Sequence, residues 1–459
     1  MFRKWPIFQR MLSWTKPYAD QERGTPAYER FDWNSLLGDD ESTRAIMPTI
    51  MDGTSYFPSR PEMERGLVTF AERTALKVRY GCRWESTRRL DNGEIALETS
   101  DGEYRARTVI FAVGVSQPWR PAVLELEGVQ QYGDLRPAES YRDHRVFIVG
   151  KQNSGFEIAS GLLPWARQII LASPSPAQLS VQTHSLVGVR ARYVQPYEDW
   201  ALAGGVVILD ASIENVERDG AVYHVKTKSA HEDHARHFTV DDVIAATGFT
   251  CPLLDLPDIG VATFGQSRLP AQTPFWRSVT VDSIYFAGTI NQGAQGLRKH
   301  GIPSNSGAVQ GYRYNARVLA RHIAEERFGK DPVHRPMQAD DVVPFLLAEA
   351  SRGPELWHQR SYLARVVSFD PTAGISDNGI QPLAHFVDAD GPDAAAIALE
   401  SNGKDDPYPT VYIRRRGKTL REHQLRPDPL LEFEGPSYRR ELASVLEPVL
   451  DPGLTRVSQ

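Results

Sequence analysis

The feature that most constrains the fold is the segment 145–163, RVFIVGKQNSGFEIASGLL. Its apolar run 146–149 predicts a buried strand, and apolar residues at helical spacing follow Gly155. Between them, Gly150 permits a tight turn, and Gly155 permits close packing of the helix on the strand. Backbone N–H groups at such a helix start favour pyrophosphate, so the segment predicts the opening of a dinucleotide-binding βαβ unit. The residues predicted to bind the cofactor here are Gly150, Gln152, Asn153, Ser154 and Gly155.

The turn departs from the usual G-x-G-x-x-G pattern at one position, because Gln152 stands where the middle glycine is expected. The alternative interpretation is an ordinary strand–turn–helix in which Ser154 and Glu157 form a capping box. The two interpretations are compatible, since a cap satisfies only one or two of the free N–H donors of a helix.

The second strand of the unit indicates which nicotinamide nucleotide is bound. QIILAS, residues 168–173, ends at Ser173, where an NAD-binding chain usually has an acidic residue on the ribose 2′-hydroxyl. A neutral residue removes a repulsion against a 2′-phosphate, and Arg190 and Arg192 in the following loop can pair with that phosphate. Solvated surface arginines are the alternative for either one. We expect NADPH rather than NADH, with Ser173 and Arg192 among its contacts.

Composition argues against several classes of partner. The chain of 459 residues is long enough for two or three domains, and its formal charge of −6 argues against nucleic acid or an anionic membrane. It has no apolar run long enough to span a membrane, and its first residues lack the apolar core of a secretion signal. We therefore expect a cytoplasmic protein that acts on a small molecule. The sequence leaves open whether the protein forms a homo-oligomer.

Two sets of residues could carry chemistry that we do not expect here. Cys82 and Cys251 are far apart and in no C-x-x-C arrangement, so neither a disulfide nor thiol catalysis is predicted. The three histidines of HEDHARH, residues 231–237, have a spacing that could bind a metal. A charged, solvated hairpin loop is the favoured interpretation, and no metal site is predicted.

Two apolar strands that end in glycine flank the nucleotide turn. Residues 108–113 lead to Gly114, and residues 242–247 lead to Gly248. One such strand would be an ordinary buried strand with a glycine turn. A pair on either side of the nucleotide turn is instead interpreted as two crossings between neighbouring nucleotide-binding domains, which makes Gly114 and Gly248 candidate cofactor contacts.

A third apolar run, SIYFAGT, leads to Gly288 and a loop rich in Gly and Asn that contains Asn291. The helical pattern over 307–329 follows, so a strand, a glycine loop and a helix N-terminus again form a candidate site for an anion or a cofactor.

The remaining elements are predicted from periodicity and turn signals. A helix is expected from PSRPEM to about residue 74, and then a meander through LKVRYG, RWESTRR, EIALETS and EYRARTVIFAVG. After about residue 331, helices are expected in ADDVVPFLLAEA and PELWHQRSYLARV. Strands are expected in HFVDADG, AAIALES and TVYIRRRG, and a last helix over 436–447, which together indicate a small α+β module.

With these motifs described, the chain resembles the two-dinucleotide flavoproteins, especially the flavin-containing monooxygenase superfamily. VGKQNSGFEIA is similar to their NADPH turn, and IFAVGVSQPWRP and DVIAATGF are similar to their inter-domain strands. FRKWPIFQRMLSWTK, DWNSLLGDD, RKHGIPSNSGAVQGYRYNAR and PELWHQRSYLAR resemble FAD-dependent oxidoreductases related to the ER flavoprotein associated with degradation. That resemblance covers nearly the whole chain.

The resemblance implies an α/β fold with two dinucleotide-binding domains of the three-layer ββα Rossmann-like kind. It implies FAD and NADPH as cofactors, with the flavin contacts at Trp14, Thr15, Gly114, Gly288 and Asn291. The expected domains are residues 1–144 and 275–330 for FAD, 145–274 for NAD(P)H, and 331–459 for the α+β module.

The implied function is an NAD(P)H-dependent flavin oxidoreductase, of the monooxygenase type that hydroxylates or oxidises a small molecule. The alternative is a degenerate flavoprotein that serves as a non-catalytic scaffold for a nucleotide or a partner. Catalytic residues are not identified, because the chemistry is largely that of the cofactor.

Two departures from the family pattern give further expectations. The family begins with a strand–GxGxxG–helix unit of roughly 30 residues that holds the ADP half of FAD, and this sequence shows no such unit. We therefore expect substoichiometric FAD. In the monooxygenase signature F-x-G-x-x-x-H, Tyr132 and Gly133 are present without the histidine, so monooxygenase chemistry is less well supported than nucleotide binding.

Overall fold

The computed structural model describes residues 7, 9–121, 126, 128–183, 188–195, 203–332 and 334–450. Residues 1–6 and 8 of the N-terminal segment that carries part of the family resemblance lie outside these ranges. The chain divides into two compact units. Unit one is Met1–Leu12, Ser59–Glu64 and Val115–Thr250, and unit two is Ser13–Pro58, Arg65–Gly114 and Cys251–Gln459. The finer division into four domains stays a prediction.

Within the described ranges the helices are α1 (Pro26–Glu29), α2 (Met47–Ile50), α3 (Arg60–Arg73), α4 (Asn153–Leu162), α5 (Ser180–Thr183), α6 (Ala191–Val194), α7 (Val309–Phe328), α8 (Ala339–Arg352), α9 (Pro354–His358), α10 (Leu383–Asp388) and α11 (Pro436–Leu450). None of them, over the part of the chain that the structure describes, is both long and apolar enough to cross a membrane.

The strands are β1 (Trp84–Arg89), β2 (Ile95–Thr99), β3 (Gly102–Ala106), β4 (Val109–Phe111), β5 (Gln117–Pro118), β6 (Gln130–Gln131), β7 (Arg145–Val149), β8 (Gln168–Ser173), β9 (Val206–Asp219), β10 (Val222–Ser229), β11 (Ala235–Val240), β12 (Asp242–Ala245), β13 (Phe249–Thr250), β14 (Thr263–Phe264), β15 (Leu269–Pro270), β16 (Ile284–Phe286), β17 (Arg335–Met337), β18 (Leu363–Asp370), β19 (Gly374–Pro382), β20 (Ala394–Glu400), β21 (Tyr408–Arg415) and β22 (Lys418–Gln424).

Unit one is built on a seven-stranded sheet in the order β11-β10-β9-β8-β7-β12-β6. The strands from β9 to β6 pair in parallel, and β9, β10 and β11 form an antiparallel meander. Because side chains alternate along a strand, β7 contributes to a core on each side of the sheet. Val146 and Ile148 pack in the core that contains α4, while Phe147 and Val149 pack with Val225 of the meander. The predicted three-layer ββα arrangement is confirmed.

Unit two contains the parallel pair β4 and β16, the meander β1-β2-β3, and a six-stranded sheet in the order β17-β19-β18-β20-β21-β22. A large hydrophobic core runs through it. Trp276, Tyr285 and Leu319 belong to the same buried cluster as Leu346 of α8 and Leu442 of α11. The residues after 331 therefore share a core with α7.

Helix α3 begins and ends as predicted. Its first turn has a capping box, the motif that the sequence suggested for Ser154 and Glu157 instead. The Ser59 backbone N–H and hydroxyl donate to a Glu62 carboxylate oxygen at 2.6 and 2.7 Å. The predicted meander after this helix is present as the antiparallel strands β1, β2 and β3.

Three predicted elements are wrong. The LKVRYG run forms no strand in the structure, and its side chains are largely exposed. HFVDADG lies mostly in helix α10, because Pro382 occupies the N-cap and Leu383 and Phe386 face the core one turn apart. PELWHQRSYLARV is helical only over α9, since Ser361 has a φ of 57° and β18 follows it.

Candidate cofactor sites

The nucleotide turn of unit one lies at the carboxyl end of β7. Gly150 has a φ of 114°, and a Cβ there would lie less than 3.0 Å from the Ala246 carbonyl oxygen. Its N–H donates to the Ala172 carbonyl at 2.8 Å, which ties the turn to β8. The chain continues from β7 to β8 on one side, while β12 lies on the other. This is the topological switch point where ligands bind in open α/β sheets.

Gly155 brings helix α4 against the strand end. A Cβ at this position would lie less than 3.0 Å from the Gly150 carbonyl oxygen, so glycine is required for the close approach that the sequence predicted. Helix α4 begins at Asn153, and its N-cap Gln152 is exposed, extended and without a side-chain capping hydrogen bond. The N–H groups that precede the i→i−4 ladder of the helix are available to an anion.

The alternative capping box at Ser154 and Glu157 is wrong. Ser154 lies inside α4 rather than at its N-cap, so its hydroxyl has no capping position. The Glu157 carboxylate accepts a hydrogen bond from the Tyr132 hydroxyl at 2.6 Å instead. Burial raises the pKa of the Glu157 carboxyl to about 7, although the Tyr132 hydrogen bond opposes the shift.

Asn153 holds a second loop at the start of α4. Its Nδ2 donates to the Gly188 carbonyl at 3.1 Å, and its Oδ1 accepts from the Arg190 backbone N–H at 3.0 Å. Burial lowers the pKa of the Arg190 guanidinium, and its Nε has no hydrogen-bond partner among the described residues. Arg190 is thus fixed by its backbone to the helix start, which the sequence did not show.

The other predicted nucleotide contacts of unit one lie around this turn. Ser173 is the last residue of β8, and its hydroxyl donates to the Ser175 carbonyl at 3.4 Å. Arg192 lies in α6, where its Nη1 donates to the Met11 carbonyl at 3.4 Å, and burial lowers its pKa. Gly248 has a φ of 94°, and its carbonyl accepts from the Trp119 N–H at 2.9 Å.

Lys151 is a buried residue of the turn that sequence reasoning missed. Its Nζ donates to the Leu209 carbonyl at 2.7 Å and pairs with Asp210, whose carboxylate also lies 3.1 Å from His231 Nε2. The ion pair ties the turn to the first half of β9. A lysine directly after a buried strand was the available signal, but its partner is distant in sequence.

The second group of predicted residues lies in unit two, at the carboxyl ends of β4 and β16. The two strands pair in parallel, with Phe111 opposite Phe286, so the glycine turns that follow them lie side by side. A Cβ at Gly114 would lie 3.3 Å from Thr289 Oγ1. Gly288 has a φ of 82° and open space where a Cβ would project.

Asn291 gives this site a polar atom without a partner. The side chain is fully buried, and its Nδ2 donates to the Phe286 carbonyl at 2.7 Å. Its Oδ1 has no hydrogen-bond partner among the described residues. A buried amide oxygen left unpaired costs about 1–3 kcal/mol, so a donor from a bound group would be favourable here. The open space at Gly288 and this orphaned oxygen fit a flat, polar cofactor such as a flavin.

Trp14 and Thr15 have structural contacts in unit two. The Thr15 hydroxyl donates to Asp32 Oδ1 and accepts from Asn34 Nδ2, both at 2.9 Å, and the residue is fully buried. The Trp14 ring lies edge-on to Trp33, with centroids 5.8 Å apart. These contacts fix the segment but leave only one hydroxyl lone pair for a ligand.

The two cysteines form no disulfide, and both are free thiols. Cys251 is buried, and burial raises the pKa of its thiol to about 12, which disfavours the reactive thiolate. Cys82 is half-buried, in the segment before β1.

The chain is similar to FAD-dependent oxidoreductase domain-containing proteins and to a ferredoxin–NADP reductase. FAD-dependent oxidoreductase domain-containing protein 2 of Mus musculus is 24% identical over 80% of this chain, and that of Danio rerio is 30% identical over 41%. The chain spans 58% and 28% of the lengths of these two relatives. Ferredoxin–NADP reductase 1 of Bacillus mycoides is 25% identical over 50% of this chain and 63% of its own length.

Solved structures share the fold at low sequence identity. A bacillithiol disulfide reductase from Staphylococcus aureus superposes with a TM-score of 0.52 at 14% identity, over 71% of this chain and 87% of that one. A flavin monooxygenase from Stenotrophomonas maltophilia gives a TM-score of 0.51 at 18% identity, over 70% and 87% of the two chains.

The sequence itself gives the family directly. Residues 37–288, more than half of the chain, match the family described as pyridine nucleotide-disulphide oxidoreductase. This range includes the nucleotide turn of unit one and both glycine-ended strands of unit two. The chain therefore belongs to the pyridine nucleotide-disulphide oxidoreductase family of flavin-dependent oxidoreductases.

Proposed function

We propose that this protein is an oxidoreductase that uses NADPH and FAD. The observation that carries the proposal is the turn at Gly150, where glycine is required by the Ala246 carbonyl and the start of α4 faces the switch point. The similarity to a ferredoxin–NADP reductase supports the choice of NADPH.

Each group of residues has a separate task in this proposal. The turn at Gly150 and the α4 N-terminus bind the pyrophosphate of NADPH, and Arg190 on the braced loop pairs with the 2′-phosphate. In unit two, Gly288 gives room for the flavin and Asn291 Oδ1 accepts a hydrogen bond from it. Bound FAD would supply the hydride and electron chemistry, while the chain orients it and excludes water.

The reaction type that we propose is oxidation of a small molecule rather than disulfide reduction. A disulfide reductase of this fold needs two redox-active thiols beside the flavin, and the buried Cys251 thiol is poorly ionised. The flavin monooxygenase among the structural neighbours is compatible with this choice. A cytoplasmic location is part of the same proposal.

A second candidate is a non-catalytic scaffold that has lost tight nucleotide binding. The observation that favours it is Gln152, whose exposed side chain stands at the α4 N-terminus in place of the usual glycine. The two candidates differ in whether the unmodified protein binds NADPH with a defined stoichiometry.

The test uses a substitution that leaves the helix cap favourable but repels phosphate. Asp is a preferred N-cap residue, so Gln152→Asp should retain the fold. Its charge would oppose a bound pyrophosphate, and we expect NADPH affinity measured by calorimetry to fall about tenfold or more. Gln152→Asn is the matched neutral control and should bind as the unmodified protein does. Equal affinity in the Asp and Asn variants would place NADPH elsewhere, and no binding by the unmodified protein would favour the scaffold.

A further inference from the structure

The loop 294–307 joins the glycine turn after β16 to helix α7, and residues of the C-terminal sheet region contact it along its length. Its first contact is the Tyr362 side chain. The Tyr362 hydroxyl donates to the Ala294 carbonyl at 2.9 Å and accepts from Trp276 Nε1 at the same distance. A Cβ at Gly296 would lie 2.7 Å from the Tyr362 ring, so the loop backbone lies directly on the ring.

The middle of the loop is held by an ion-pair network. Lys299 Nζ donates to Glu400 Oε2 at 3.1 Å and to the Tyr412 hydroxyl at 3.3 Å, and it also pairs with Glu422. His300 Nε2 lies 3.1 Å from the Tyr408 hydroxyl. The loop therefore contacts three strands, β20, β21 and β22.

Glu400 is the centre of this network. Its side chain is only 1% exposed, and it accepts hydrogen bonds from the hydroxyls of Thr410, at 2.9 Å, and Tyr412. Burial disfavours the charged ammonium of Lys299, but Glu422 and Glu400 outweigh it and hold the pKa of Lys299 above its usual value. A buried carboxylate is stable while its donors remain, so withdrawal of Lys299 would leave an unpaired buried charge.

The end of the loop is fixed by the last residue of α9 and by the residue that follows it. The Asn305 backbone N–H donates to Gln359 Oε1 at 2.9 Å, and Asn305 Nδ2 donates to the His358 carbonyl at 2.6 Å. Gln359 Nε2 donates to Ser306 Oγ at 3.2 Å and to Asn315 Oδ1 at 2.8 Å. The same amide thus joins the loop to helix α7.

We propose that the C-terminal sheet positions the loop 294–307 for the flavin site, with Glu400 as a positioning residue that acts through Lys299. The loop starts three residues after Asn291 and ends at the residues that precede the α7 N-terminus. Displacement of the loop would therefore move both Asn291 and the N-terminus of α7. The claim that the sheet holds the loop depends only on these contacts. The claim that the loop positions the flavin site rests on the proposed function.

The test compares two buried carboxylates of one sheet. Glu400→Gln removes the charge that binds Lys299 and keeps the side-chain shape. Asp377→Asn is the matched control, because Asp377 is buried in β19 and pairs with Arg365, with Arg365 Nε 2.8 Å from its Oδ1. Tyr412→Phe, which removes one donor to Glu400, is a second variant in case Glu400→Gln does not fold.

The first measurement is native-state trypsin cleavage after Arg298 and Lys299, which needs no cofactor. We expect it to be about tenfold faster in Glu400→Gln than in the unmodified protein, because local opening limits cleavage of a held loop. Trypsin should cleave Asp377→Asn at these sites as slowly as it cleaves the unmodified protein, even if the Tm of this variant falls as much as that of Glu400→Gln. Equal cleavage rates in the Glu400→Gln and Asp377→Asn variants would overturn the proposal.

The second measurement is FAD affinity by flavin fluorescence titration, with the same variants. We expect the Kd for FAD to rise about tenfold in Glu400→Gln and to be unchanged in Asp377→Asn, as preorganisation of the loop is lost only in the first. Faster cleavage with unchanged FAD affinity would overturn the flavin part. If the unmodified protein itself binds no FAD, the proposed function fails while the cleavage result still decides the loop-holding part.

Discussion

Arg190 is attached to the start of α4 through its own backbone, since its N–H donates to Asn153 Oδ1 at 3.0 Å. Its guanidinium Nε has no partner among the described residues, whereas Arg192 Nη1 donates to the Met11 carbonyl. If NADPH binds as proposed, the unpartnered Arg190 Nε is a donor for its 2′-phosphate. A charge-assisted guanidinium–phosphate bond contributes about 1.5–3 kcal/mol.

We expect Arg190→Gln to weaken NADPH binding by at least about tenfold and to leave NADH binding nearly unchanged, because only NADPH has the 2′-phosphate. The measurement is calorimetric titration with each nucleotide. Arg192→Gln is the control, and it should alter the two affinities equally. A larger loss of NADPH preference in Arg192→Gln would make Arg192 the phosphate partner, as the sequence alone suggested.

At the same scale, the sequence was sufficient for residues whose role depends on local backbone. Gly150 and Gly155 were predicted because the strand–turn–helix pattern demands glycine at those positions, and the structure gives both the close approaches expected. Lys151 and Lys299 were not predicted. Their partners, Asp210 and Glu400, are 59 and 101 residues away, and no local pattern indicates which strands meet.

Among the elements, helix α4 carries a half-buried acid, Glu157, in its second turn. Burial raises the pKa of the Glu157 carboxyl to about 7, above the ordinary value that the unfolded chain has. The folded state therefore holds its proton between about pH 4.5 and pH 7, where the unfolded state releases it. Because the folded state binds more protons than the unfolded state in this window, the contribution of Glu157 to the free energy of unfolding falls as the pH rises through it. Above about pH 7 this contribution no longer changes with pH.

We expect Glu157→Gln to reduce this fall, since the amide can accept the Tyr132 hydrogen bond without titrating. The difference in unfolding free energy between variant and unmodified protein should increase by roughly 1–3 kcal/mol from pH 5 to pH 8. Urea denaturation at the two pH values measures it. Glu217→Gln, an exposed position of β9, is the control, and an equal pH dependence in both variants would contradict the assignment.

Element types were predictable where periodicity was long and failed where it was short. Helix α7 and strands β20 and β21 have clear patterns and were predicted correctly. The short α10 was predicted as a strand, because Phe386 and Val387 are apolar and β-prone in isolation. Its helix is fixed by Pro382 and by burial of Leu383 in a core that the local sequence does not show.

For the whole molecule, the main surprise is how the C-terminal residues contribute to unit two. The sequence indicated a separate module after about residue 331. In the structure, Val318 and Ile323 of α7 are buried in the same cluster as Leu347 of α8 and Leu446 of α11. The C-terminal residues cover a face of α7 that would otherwise be exposed, and this arrangement depends on contacts far apart in sequence.

We therefore expect a chain that ends at residue 330 to be insoluble or to lack a cooperative thermal transition for unit two, because the apolar face of α7 would lose its cover.

In the full chain, Leu346→Ala should lower the unfolding free energy by about 2–5 kcal/mol, measured by urea denaturation. Leu420→Ala is its control, since Leu420 is 66% exposed on β22, and it should change stability by less than about 0.5 kcal/mol. A soluble fragment that unfolds cooperatively, with a Leu346→Ala effect no larger than the control, would show that the C-terminal residues are an independent domain and that α7 does not depend on them.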